Sequence, residues 1–287
     1  MTVLKGKRGA WLNQFAQPDA ALFNARASQV GYVIIKYGLA FYEALARAAG
    51  VDWLGERMGE PVGPAAAATY AQQLADQCNQ PGCVGGVINL EEADGGWHND
   101  DGTATRLLIE TFRRRAPGKP LFASLDTRGG RPDSPYQAVC AEMCDGVMPM
   151  IYPHAFGQSP ARAFAAALTN LVYQRWAGKE IIPTIQTYGD ITPADVAASA
   201  EICDYLYTRT RIVGANFYTL GHADVEQWAE ALSFAISSGA PAPPTVDLAA
   251  ALIALRKAWE DGWTAIAARG TIAEAEALAG YWRKLVS

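Results

Sequence analysis

Gly85-Gly86-Val87-Ile88-Asn89-Leu90-Glu91-Glu92-Ala93-Asp94-Gly95-Gly96-Trp97 is an apolar run that stops abruptly in two carboxylates, a glycine pair and a tryptophan. Such a run predicts a buried strand that delivers acids to an open edge. Successive strand side chains alternate faces, so Asn89 and Glu91 point one way and Leu90 and Glu92 the other. One glutamate of the pair therefore faces a cleft, and a bulge at the strand end would exchange which one. Two adjacent glutamates alone fit a solvated strand end equally well. The rest of the chain decides.

Upstream, Gly9 to Phe15 contains Trp11 and Asn13 and reads as a strand, and a helical stretch follows Pro18-Asp19 to about Ser28. Gly31 to Tyr37, rich in β-branched and aromatic residues and closed by Gly38, predicts a second strand. A helix through Phe41 to Ala49 comes next. Val51 to Pro64, with Trp53, Leu54 and Met58 interspersed with Gly55, Gly59, Pro61 and Gly63, reads either as a short third strand or as a loop. Helical spacing resumes from Pro64 to Gln77, and Pro81-Gly82 leads into the opening stretch as the fourth strand.

Downstream the alternation is regular. Thr103 to Arg115 is helical, and Pro120 to Asp126 is a strand ending in an acid and a glycine loop. Ser134-Pro135, Ser159-Pro160 and Thr192-Pro193 each start a helix with a capping hydroxyl and a proline at the first position. Between them lie a sixth strand, Gly146 to Pro153, and a seventh, Glu180 to Tyr188. Arg211 to Leu220 is the eighth, followed by a helix from Ala223 to Ser237. Repeated strand-helix units with near-continuous apolar strands imply a parallel sheet covered by helices. With no dinucleotide-type glycine fingerprint after the first strand, the pattern predicts a closed α/β barrel of the TIM (β/α)8 type over residues 1–238. Residues 239–244, Gly-Ala-Pro-Ala-Pro-Pro, form a linker by composition. Across residues 245–287, Leu248, Leu252, Leu255, Trp259, Trp263 and Ile266, then Leu278, Trp282 and Leu285, mark an amphipathic helical hairpin. It serves either as a pair of docked helices or as a self-association or assembly element.

The 287 residues are half hydrophobic and carry a formal net charge of −5, which suits one large domain plus an appendage. Mild acidity and the lack of a basic run beyond Arg113-Arg114-Arg115 argue against nucleic acid as a partner. The basic start, Met1 to Arg8, precedes no apolar run of signal-peptide length, and nothing approaches a membrane span. The expectation is a soluble chain, released by lysis or carried on a virion. Cys78, Cys83, Cys140, Cys144 and Cys203 are an odd number without zinc-ribbon spacing and read as buried thiols. His98, His154 and His222 each follow a strand but lack ligand spacing. No metal or other cofactor is expected.

Reacting groups in such barrels come from the C-terminal ends of the strands. The polar residues found there are Asn13, Lys36, Glu91 or Glu92, Asp126, Tyr152, Gln186, Asn216 and Tyr218. Neighbouring strands lie about 4.8 Å apart. Glu91 and Asp126 can thus place carboxyls within the roughly 5 to 9.5 Å used in glycoside hydrolysis. Amides and aromatic rings suit a carbohydrate polymer better than a phosphorylated metabolite, because sugars offer hydroxyls to amides and flat apolar faces to rings. Trp97 serves either as a sugar platform or as packing for its loop.

Asn89-Leu90-Glu91 on the fourth strand, Met150-Ile151-Tyr152 on the sixth and Gln186 on the seventh resemble the barrel glycosidases that include chitinases and the family twenty-five muramidases. The resemblance implies a glycoside hydrolase acting on chitin or a cell-wall glycan, with Glu91 as general acid, Asp126 as its partner and Tyr152 bonding the reacting sugar. Substrate contacts would come from Asn13, Asn89, Trp97, Gln186, Asn216 and Tyr218. The chain departs from those families at Asn89, where they place an aspartate, at Pro153 after the tyrosine, and at Asn13, where the muramidases carry an acid. An amide is neither base nor nucleophile. A barrel that binds glycan without cleaving it, or a structural component such as a phage tail part, is therefore the second reading.

Overall fold

A computed structural model describes residues 4–15, 17–58, 63–90, 101–126, 135–173, 176, 178–207 and 212–233. The expectations for Glu91, Glu92, Trp97, His98, the Ser134 cap, the linker 239–244 and the hairpin 245–287 lie outside the described residues.

The strands are β1 (Arg8–Leu12), β2 (Tyr32–Lys36), β3 (Trp53–Met58), β4 (Cys83–Leu90), β5 (Leu121–Leu125), β6 (Gly146–Ile151), β7 (Glu180–Ile181), β8 (Thr184–Gln186) and β9 (Ala215–Tyr218). All pair in parallel, and the β1–β9 and β5–β6 pairings close the sheet on itself. The segments β7 and β8 are successive pieces of one barrel strand, both paired with β6. Pro183, which has no amide hydrogen to donate, interrupts it, while Ile182 N still bonds Val147 O at 2.8 Å and Pro183 O accepts from Asn216 N at 2.8 Å. The ring thus has eight positions, the TIM-type barrel expected from the strand-helix alternation. The undecided stretch after Val51 is a true strand: β3 pairs with both β2 and β4.

The helices are α1 (Ala20–Ala27), α2 (Ala40–Ala48), α3 (Gly63–Cys78), α4 (Thr103–Arg115), α5 (Pro135–Met143), α6 (Pro160–Tyr173), α7 (Pro193–Tyr207) and α8 (Val225–Ser233). Pro135, Pro160 and Pro193 each stand first in their helix, where a missing amide hydrogen costs nothing. Thr192 Oγ1 accepts from Asp195 N at 3.1 Å, as a cap should.

Strand alternation divides the core in two. Ala10, Leu12, Val33, Ile35, Ile88, Ala123, Val147 and Phe217 face the helices. Trp11, Tyr32, Ile34, Leu54, Val87, Phe122, Met148 and Ile182 fill the barrel. Gly85 and Gly86 are needed because a Cβ would stand 2.8 Å from Pro120 O or 3.1 Å from Cys78 Sγ. All five cysteines are buried, and none is in a disulfide among the described residues.

Candidate active site

The C-terminal mouth of the barrel is built by carrying the interior alternation of each strand one or two residues further. The pairings around the ring bring Lys36, Asn89, Met150 and Tyr218, from alternate positions, to one level. Trp11, Glu56, Ser124 and Thr184 form the level beneath. Continuing the count by one residue past β1 and β5 puts Asn13 and Asp126 with Met58 and Gln186 on the level above. The interior therefore changes from hydrocarbon to polar groups within about two residues of the strand ends.

Asn13 is buried, donates from Nδ2 to Tyr218 Oη and accepts from Phe15 N at 3.0 Å. These bonds orient the Tyr218 phenol and the loop after β1 together. Tyr218 sits in an aromatic cluster: its ring centroid lies 5.7 Å from Tyr152, 5.6 Å from Tyr188 and 6.0 Å from Trp11. Tyr152 and Tyr188 meet edge to face at 5.9 Å, and Phe156 packs on Tyr152 at 5.6 Å. Such geometries are favourable and lock ring orientation. Asp126 follows directly on β5 and is half-buried, next along the strand face carrying the buried Ser124. Asn89 is 3% exposed on the same inward face as Val87.

Two expected sugar contacts have other duties. Gln186 Oε1 accepts from Ala155 N at 3.1 Å and its Nε2 donates to Tyr188 O at 3.0 Å. With 1% exposure, this amide ties the loop after β6 to the end of β8 and holds Tyr152 and Tyr188 in place. Asn216 is fully buried, one level below Trp11 and Glu56, and its Oδ1 accepts from Tyr32 Oη. It belongs to the barrel interior and not to the mouth.

The mouth also holds residues absent from the sequence-derived set. Glu56, on β3, is 2% exposed and is the register partner of Lys36. The glycines and prolines around it mask the strand signal in sequence; alternation from Leu54 places it inward. Trp11 and Tyr188 stand two residues from Asn13 and Gln186 and share their faces by the same rule. His154 Nε2 and Asp190 Oδ2, 3.9 Å apart, lie exposed at the rim. Among the described residues, no group of three His, Cys, Asp or Glu side chains is arranged to hold a metal.

The fold and mouth define a (β/α)8 barrel with a polar and aromatic cleft at the C-terminal ends of its strands. No family model matches the chain, and no curated protein matches it. Solved structures do. A chitinase from Chromobacterium violaceum aligns at 13% identity with a TM-score of 0.59, covering 79% of this chain and 98% of that one. The glycoside hydrolase domain of PgaB (BpsB) from Bordetella bronchiseptica aligns at 12% identity and a TM-score of 0.57, over 82% of this chain and 99% of that one. A chitinase-like agglutinin from Robinia pseudoacacia aligns at 12% identity and a TM-score of 0.54, over 80% of this chain and all of that one. At these identities the likeness establishes the shared barrel fold.

Proposed function

We propose that the barrel mouth is a glycan cleft that hydrolyses a glycosidic bond in a polysaccharide such as chitin or a cell-wall glycan. The observation that carries the reading is the composition of the mouth: Asp126 stands on the level above amide and phenol groups, and three tyrosine rings of the same mouth are held in mutual contact. Sugars present hydroxyls to the first kind of group and apolar ring faces to the second.

In this mechanism Glu91, two residues beyond the inward-facing Asn89, is the general acid that protonates the departing glycosidic oxygen. Asp126, on the neighbouring strand, stabilises the developing positive charge at the anomeric carbon or activates the attacking water. Tyr152 Oη bonds the reacting sugar, and Tyr218, set by Asn13, supports a ring face. Trp97 extends the platform. Gln186 acts by positioning the tyrosine loops, and Asn216 only through the packing beneath.

The test is release of new reducing ends from chitin, peptidoglycan and plain β-glucans by wild type and Glu91→Gln. The variant is expected to lose about 10²- to 10⁴-fold on the substrate that wild type cleaves. Equal rates for the two proteins would remove Glu91 from the mechanism.

A second reading, glycan binding without turnover, is favoured by Asn89, a buried amide on the inward face beside the acid positions. It predicts retained binding with no mutant-sensitive release on any glycan. On either reading, residues 245–287 are proposed as a self-association or assembly element appended through the 239–244 linker. Light scattering of the whole chain against one ending at residue 238 tests that role, and equal oligomeric states would exclude it.

A further inference from the structure

We propose that Lys36 reads a negative charge on the bound glycan, so that the cleft takes a carboxylate-bearing polysaccharide in preference to a neutral one; this rests on the glycan reading above. Lys36 is the last residue of β2 and shares its inward face with Tyr32 and Ile34. It is only 9% exposed. Its ammonium has soft company: Nζ lies 3.3 Å from Met58 Sδ and 5.9 Å from the centroid of the Phe15 ring.

A thioether is a weak acceptor, and an ammonium offers three donors. A phenyl face adds a modest attraction. Among the described residues, no carboxylate oxygen comes within ion-pair distance of Lys36, although the chain makes such pairs elsewhere, as between Lys7 and Asp52 at 2.9 Å. Glu56, its register partner, faces the same interior but does not close to that distance.

Burying an ammonium without a directly bonded carboxylate is costly. A lysine used only for packing would turn its head to water. Lys36 instead stands level with Asn89 and Tyr218 and directly beneath the level of Asp126. Two of its N–H groups remain for a ligand descending into the mouth. The matching group is a sugar carboxylate, carried either on a lactyl ether or at C6 of a hexuronate. Phosphate suits the place less well, because no glycine-rich cradle follows the seventh or eighth strand.

The test measures calorimetric binding of the full chain, at low salt, to three oligosaccharides of equal length: a neutral N-acetylglucosamine oligomer, its lactyl-ether-bearing counterpart and a hexuronate-bearing one. At least one carboxylated ligand is expected to bind about tenfold or more tightly than the neutral one, and the arm that does so names the source of the charge. Reducing that carboxyl to an alcohol is expected to erase the preference, a control that needs no variant. Lys36→Gln should bring the ratio close to one, and Lys36→Arg should keep it above one. Equal affinity of wild type for all three ligands overturns the proposal and leaves the glycan cleft standing. So does a Lys36→Gln protein that loses affinity for neutral and acidic ligands equally. Binding of none of the three overturns the glycan reading and this inference together.

Discussion

Tyr32 and Gly9 show how much of the barrel depends on single atoms. A Cβ on Gly9 would lie 2.2 Å from Tyr32 Cε2 and 2.6 Å from Asn216 Oδ1. Glycine at this position therefore makes room for the phenol ring, and Gly9→Ala is expected to cost about 1 to 3 kcal/mol or more as overpacking. Chemical denaturation measures it, and an unchanged midpoint would show that the ring can shift. Tyr32→Phe should cost roughly 1 to 3 kcal/mol by leaving the buried Asn216 Oδ1 without its donor. The same scale explains the limits of reading the site. Asn13, Lys36, Asn89, Asp126, Tyr152 and Tyr218 were legible because alternation and strand ends place them. Asn216 shares those attributes in sequence, and only the depth of its position, set by the register with Thr184 and Gly9, separates it from the mouth. Gln186 is inward as read, but which atoms its amide bonds depends on loops that carry no periodic signal.

At the level of elements, helix starts were the most readable feature because proline and a capping side chain act locally. The start of α8 shows what locality misses. Asp224 Oδ1 accepts from Gln227 N at 2.7 Å and Gln227 Oε1 accepts from Asp224 N at 3.1 Å, a reciprocal capping box. Gln227 Nε2 also donates to Ile191 O at 2.8 Å and Gly189 O at 3.2 Å, tying α8 to the loop that follows Tyr188. Gln227→Ala is therefore expected to destabilise by about 1 to 3 kcal/mol, since the buried Ile191 carbonyl and the Gly189 carbonyl lose their donor along with the cap. Gln227→Glu keeps an acceptor for the cap but loses the amide donor, so its midpoint should fall between wild type and alanine. Equal midpoints for the glutamate variant and wild type would mean that the carbonyl contacts contribute nothing. The third strand was the least legible element for a related reason. Gly55 lies where a Cβ would stand 2.6 Å from Gln77 Oε1, so the glycine that reads as a loop signal is there to admit α3.

Over the whole molecule, the barrel was legible because its strands are buried on both faces and its helices repeat between them, whereas closure is a long-range fact. Arg26 on α1 donates to Leu220 O and, at 2.7 Å, to Ala223 O, and stacks over Trp228 at 5.0 Å. Leu220 N bonds Trp11 O at 2.7 Å. First and last units are thus fastened by residues nearly two hundred positions apart in sequence. The closed interior also sets how stability responds to alkali. Burial raises the Tyr32 phenol well above its ordinary 10.0, with Cys203 nearby adding to the shift. Burial likewise raises the Cys203 thiol well above its ordinary 9.0, and Asp204 adds to it. Both groups are neutral when protonated, so above those ordinary values the unfolded chain loses protons that the folded chain retains. The folded state then binds more protons, and stability falls as pH rises. The fall begins near the ordinary thiol value for Cys203 and near the phenol value for Tyr32, at up to about 1.4 kcal/mol per pH unit for each group. Denaturation midpoints measured from pH 8 to 11 should decline in two overlapping steps. Cys203→Ala is expected to flatten the earlier step and Tyr32→Phe the later one, relative to each variant's own value at pH 8. The net charge of −5 adds a general repulsion that grows with pH, but both variants retain it, so the difference in slope isolates the buried groups. Parallel slopes for wild type and both variants would show that neither proton is held by the barrel.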